Sequence, residues 1–245
     1  MTSESEKFKQ EREAAIDAMA ADAQFQAVNQ AWFEHSIRHK YSYNFTWMGR
    51  PVIQYPQDIV AMQEIIWEVQ PDLIIETGIA HGGSLILYAS LLEMAGGPGK
   101  VLGIDIEIRP HNRKAIEEHP MFRRITMLEG SAIAPDMVAR VREFAASCRR
   151  VMVVLDSNHT HDHVLAELQS YADLVSPGSY LVVFDTVVED LPAQLSGDRP
   201  WGPGNNPKTA VRRFLEQDDR FVIERRIQDK LKITVAPDGY LKRIR

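Results

Sequence analysis

A single cysteine, Cys148, means that no disulfide can form within the chain. It stands in the run AASCRR, with no second cysteine or nearby histidine, and reads as a structural thiol in a reducing compartment. Long hydrophobic runs are missing too: no stretch approaches the ~20 apolar residues that span a bilayer. The opening MTSESEKFKQEREAA is charged and lacks a signal-peptide core, so a cytoplasmic protein is expected. Positive charge is in deficit, with 28 Lys and Arg against 34 Asp and Glu. Phosphate attraction needs a basic surface, so nucleic acid is not an expected partner. There are no internal repeats or low-complexity tracts, and the dinucleotide pattern G-x-G-x-x-G is missing, which disfavours an NAD-dependent oxidoreductase.

What is present is an ordinary globular composition over 245 residues, 44% hydrophobic and 25% charged, enough for one α/β domain with additions. Residues 4–38 carry Phe8, Ala15, Ile16, Met19, Phe25, Val28, Trp32 and Phe33 at helical spacing. Residues 39–57 read as an aromatic, turn-rich loop with Tyr41, Tyr43, Phe45, Trp47 and Tyr55. Together, residues 1–57 are expected to serve as a lid or oligomer contact, with a homo-oligomer as the assembly. Residues 58–245 form the main domain, opening on a helix with Asp58 as its N-cap.

From residue 72, short apolar runs alternate with helical segments. LIIE (73–76), VLGID (101–105), RITML (124–128), VMVVLD (151–156) and SYLVVFD (179–185) read as buried parallel strands. Residues 186–206 form a long turn-rich insertion, and Pro207 opens a helix. FVIER (221–225) and LKITVAP (231–237) read as a closing hairpin. The fold class is thus α/β and Rossmann-like, a mostly parallel seven-stranded sheet with an antiparallel last strand and added N-terminal helices.

Ligands of open α/β sheets bind at the C-terminal strand edge. There, ETGIAHGGS supplies Glu76, Gly78, His81, Gly82, Gly83 and Ser84, with Ser84 expected to cap the next helix. Asp105 ends the second strand, where a carboxylate can accept both ribose hydroxyls. Gly130 and Ser131 follow the third strand, in reach of an adenine. This set fits an adenosine nucleoside.

Asp156 and Asp185 end the fourth and fifth strands. Two convergent carboxylates repel unless a cation joins them, and Mg²⁺ suits such oxygen donors. Thr186, Glu189, Asp190, Asn205 and Asn206 are the candidates for a third ligand; Asn206, in the turn GPGNNP, is taken forward. DSNHTHDHV offers His159 and His163, on one face if this stretch is helical, as general-base candidates, whereas His161 is expected to be solvated.

ETGIAHGGS, GIDIE, LDSNHTHDHVLAEL, GSYLVVFD and WGPGNNPKTAV together resemble the rhamnosyl O-methyltransferase and cephalosporin hydroxylase family over roughly residues 45–235. The resemblance implies a class I methyltransferase fold, S-adenosylmethionine as donor, often Mg²⁺, and a small-molecule acceptor, a sugar or natural-product hydroxyl. It places the donor near Asp156 as well as on the glycine turn. Some members carry Glu-Asp after the fifth strand where this chain has Phe184-Asp185. That makes the arrangement closer to catechol-type methyltransferases, where a basic residue three positions after the first aspartate takes the proton; His159 stands there. A nucleoside-binding paralog without activity is the alternative, and an Fe(II) oxygenase is disfavoured by the βαβ pattern.

Overall fold

The computed structural model describes residues 3–245. In chain order the elements are α1 (Glu4–Ala21), α2 (Ala23–Arg38), β1 (Thr46–Trp47), β2 (Arg50–Pro51), α3 (Pro56–Val69), β3 (Leu73–Thr77), α4 (Gly83–Ala95), β4 (Lys100–Asp105) and α5 (Pro110–Glu117). They continue as β5 (Ile125–Glu129), α6 (Pro135–Ala145), β6 (Val151–Leu155), α7 (His161–Tyr171), β7 (Tyr180–Val183), α8 (Pro207–Leu215), β8 (Phe221–Ile223), α9 (Arg225–Leu231) and β9 (Tyr240–Arg243). The main sheet has the order β5-β4-β3-β6-β7-β9-β8, and β9 runs antiparallel to both neighbours.

Alternation along each strand sends successive side chains to opposite faces. Ile74, Met152, Val154 and Val182 therefore pack beneath α3 and α4, while Leu73, Ile75, Val153 and Leu181 meet α6, α7 and α8. Both faces are covered, which is why the strands read as continuous apolar runs. The parallel strands β3 to β7 all release the chain at one edge, and this places Gly78, Asp105, Gly130, Asp156 and Asp185 side by side.

The helical stretch 4–38 is two helices. Asp22 leaves helical geometry, and its Oδ1 accepts the Phe25 N–H as the cap of α2. The segment after it is more ordered than a loop. β1 and β2 form a small hairpin, Trp47 Nε1 donates to Ser90 Oγ on α4, and Tyr55 is buried against Phe33.

Two expectations are corrected at the ends of the main domain. Asp58 does not cap α3, which begins at Pro56; it is wholly buried and accepts from Thr234 Oγ1, Val235 N–H and Tyr240 O–H. Residues 231–237 do not form a strand: the Val235 N–H goes to Asp58 on α3 and the Val235 carbonyl accepts from the Val187 N–H, so neither pairs with the sheet. The second half of the expected hairpin is instead α9, a connection, and β9, which inserts between β7 and β8.

Burial pushes the Asp58 carboxyl up to about 6, against the three hydrogen bonds that favour its charged form. Its folded value thus exceeds the unfolded one, so its contribution to stability is full below about pH 4 and is lost as pH rises through 6. Two units correspond to roughly 3 kcal/mol. Urea unfolding between pH 4 and 7 should show this loss in the wild type, and Asp58→Asn should flatten it. An unchanged slope would contradict the assignment.

Candidate active site

β3 leaves the sheet at Gly78, with φ +92; a Cβ there would stand 2.0 Å from the Asp156 carbonyl oxygen. Only glycine lets the two strand ends approach so closely. The turn then runs through Ile79, Ala80 and His81 to Gly82, which occupies the N-cap position of α4. Ser84 is not that cap. Its hydroxyl donates to Glu76 Oε2 at 2.7 Å, and burial raises Glu76 to about 8.

The turn is held from outside by residues of β2 and α5. Arg50 of β2 donates through Nε to the His81 carbonyl at 3.0 Å and through its terminal NH₂ group to Asn112 Oδ1 at 3.1 Å. Asn112 in turn donates to the Ala80 carbonyl at 2.9 Å. Gly83 lies hard against the hairpin, since a Cβ there would sit 2.0 Å from the Pro51 carbonyl oxygen. His81 thus enters this latch through its backbone.

Asp105 closes the turn from the other side. Its Oδ2 accepts the N–H groups of Ile79 and Ala80, at 2.7 and 3.2 Å. A carboxylate has about four acceptor positions, so capacity for a ribose hydroxyl remains. Gly130 N–H donates to the Asp105 carbonyl and ties the ends of β4 and β5 together, with Ser131 next in line. The glycine close approaches and the acceptor capacity left on Asp105 fit a nucleoside ligand such as S-adenosylmethionine.

At the adjacent strand ends, Asp156, His159 and Asp185 each offer one ligand atom, all within 4.8 Å of one another. Strand register sets Leu155 opposite Val183, hence Asp156 beside Phe184. Asp185, one position beyond, adopts φ +57 and turns its carboxylate back toward Asp156. Left-handed geometry is rare outside glycine, and aspartate is among the few residues enriched there. Burial holds the Asp156 carboxyl well above the usual carboxylate range, and the charges of Asp185 and Glu76 add to this. A buried carboxyl with a second carboxylate against it fits a bound divalent cation.

His159 Nε2 lies 3.1 Å from Asp185 Oδ2, and its ring meets Trp201 of the insertion edge-on at 4.9 Å. Trp201 was not foreseen as a neighbour, because sequence spacing does not show where a long insertion folds back.

Three expectations from this stretch are corrected. α7 begins only at His161, so His159 and His163 do not share a helical face. His163 turns instead to Ser157 and Glu167, at 3.3 and 3.5 Å, outside the cluster. His161 is not simply solvated; its Nδ1 pairs with Thr209 Oγ1 at 2.8 Å. Asn206, expected as the third metal ligand, is committed elsewhere. Its Oδ1 accepts the N–H groups of Lys208 and Thr209 as the cap of α8, and its Nδ2 donates to Glu189 Oε2 and the Gly202 carbonyl.

Residues 39–244 match the family described as Rhamnosyl O-methyltransferase/CmcI. The rhamnosyl O-methyltransferase of Mycobacterium tuberculosis (strain ATCC 25618 / H37Rv) is 33% identical over 218 residues, 84% of this chain and 83% of that protein. An apo structure of CmcI superposes with a TM-score of 0.58 at 17% identity, covering 83% of this chain and 77% of its own. A CmcI structure with Mg and SAM gives 0.54 at 17% identity, covering 83% and 78%. The glycine turn, the strand-end carboxylates and the antiparallel β9 thus belong to a chain that is a member of the rhamnosyl O-methyltransferase/CmcI family.

Proposed function

We propose that this O-methyltransferase moves the methyl group of S-adenosylmethionine to a hydroxyl of a rhamnosyl or similar sugar, with Mg²⁺ held by Asp156 and Asp185. The observation that carries this is the convergence of Asp156, His159 and Asp185 beside the glycine turn. The mycobacterial relative is named for a rhamnosyl acceptor, and the CmcI structure holds Mg and SAM.

A bound divalent cation supplies Lewis acidity, making the acceptor hydroxyl easier to deprotonate. His159 takes that proton on its imidazole as the acceptor oxygen gains the methyl group and S-adenosylhomocysteine leaves. Asp185, 3.1 Å away, stabilises the imidazolium so formed. The turn 78–84, fixed by Arg50, Asn112 and Asp105, orients the donor, so positioning supplies much of the rate. No helix among the described residues is long and apolar enough to cross a membrane. Phe8 and Val28 on the N-terminal helices are exposed and offer an apolar surface for a homo-oligomer contact.

The test is transfer of a radiolabelled methyl group from S-adenosylmethionine to rhamnosyl glycosides, in Mg²⁺ and in EDTA. Labelled glycoside that forms only with Mg²⁺ is the expected result. Transfer unaffected by EDTA would remove the cation, and donor binding without transfer to any sugar would remove the acceptor class.

A further inference from the structure

We infer that Gln54 is a donor-binding residue, whose side-chain oxygen receives the α-ammonium group of S-adenosylmethionine. This rests on the donor reading above. Gln54 lies in the short segment between β2 and α3, outside the glycine turn, and is 6% exposed. Its side chain lines the cleft formed by Gly78, Ile79, His81, Ser84 and Asp156.

Its side-chain amide donates through Nε2 to Asp156 Oδ2 at 3.2 Å. Oε1 then faces away from that carboxylate, and it is buried with no hydrogen-bond partner. A buried acceptor without a donor is costly, and native structures rarely leave one unexplained.

Four donors beside this cleft are engaged elsewhere. Gly78 N–H goes to the Ile104 carbonyl, Ile79 and Ala80 N–H to Asp105, and the Ser84 hydroxyl to Glu76. The donor for Oε1 comes with the ligand. A primary ammonium carries three N–H groups and a positive charge, and suits a cleft lined by Gln54 and Asp156. Glu76 Oε1 is also without a donor, but Glu76 is fully buried and does not line the cleft. Gln54 therefore joins the two halves of the reaction, as its Nε2 holds Asp156 on the acceptor side and its Oε1 holds the donor.

The test is calorimetric binding of S-adenosylhomocysteine and of its deaminated analogue, to the wild type and to Gln54→Met, which keeps length but removes the amide. The wild type should favour S-adenosylhomocysteine by about tenfold to a hundredfold, the range for a hydrogen bond to a charged group. Gln54→Met should lose that preference and bind the analogue as the wild type does. Equal weakening of both ligands would mean that Gln54 only positions Asp156, and would overturn the inference. So would undiminished S-adenosylhomocysteine binding. If wild type bound neither ligand, the donor reading itself would fall. Should the variant not fold, a crystal structure with S-adenosylhomocysteine decides: ammonium on Gln54 Oε1 supports the assignment, and a water there with the ammonium elsewhere refutes it.

Discussion

Asp156→Ala is expected to lower methyl transfer by about 10²–10³-fold or more, the scale seen when a group stabilising developing charge is removed. Binding of S-adenosylhomocysteine should weaken by less than about tenfold, because the glycine turn and its latch do not depend on this carboxylate. Thermal stability should move the other way. Asp156 is held well above the usual carboxylate range by burial and by the charges of Asp185 and Glu76. Its folded value exceeds the unfolded one, so at neutral pH its ionisation opposes folding when no cation is present. Asp156→Asn should therefore raise the melting temperature of cation-free protein by a few degrees, of the order expected for about 1 kcal/mol in a chain this size. Mg²⁺ should raise the wild-type melting temperature and leave the variant's unchanged. Equal loss of donor binding and transfer would count against the assignment, as would a Mg²⁺ response preserved in the variant.

His159→Gln is expected to reduce kcat by about 10²–10⁴-fold, the usual contribution of a positioned general base. The KM for S-adenosylmethionine should stay near the wild-type value, since no part of the ring meets the glycine turn. The imidazole is well placed for the task, with Asp185 Oδ2 at 3.1 Å to stabilise its charged form and Trp201 packed against its ring. His159 also falls within the cluster that could hold a cation, and the two roles separate cleanly. A base is dispensable for metal binding, so the Mg²⁺-induced rise in melting temperature should survive in His159→Gln. Loss of that rise would make His159 a ligand instead. A fall in kcat smaller than threefold would exclude it as the base.

Both variants probe side chains whose chemistry was legible early, whereas their supporting partners were not. The run of buried strands, the glycine turn at 78–83 and carboxylates at strand ends follow from local rules. Parallel βαβ units bring every strand out at one edge, and a residue that ends a strand must appear there. That reasoning places Asp105, Asp156 and Asp185 together without any coordinates. Local reasoning failed wherever a side chain had two plausible partners. Asp58 and Ser84 both stand near helix starts and suit capping, yet burial drew one to Thr234, Val235 and Tyr240 and the other to Glu76. Asn206 has the donor atoms of a ligand and is spent as a cap.

The sequence by itself determined the periodicities, the crossover topology up to β7 and the strand ends from which the site is built, because each depends on residues close along the chain. Tertiary structure alone decided the path of residues 224–243, the latch from Arg50 through Asn112, and the meetings of Gln54 with Asp156 and of Trp201 with His159. Those contacts join residues 31 to 102 positions apart in sequence. Such pairings are selected by competition among all buried polar groups for a limited set of partners, and that competition is settled only when the whole core has packed.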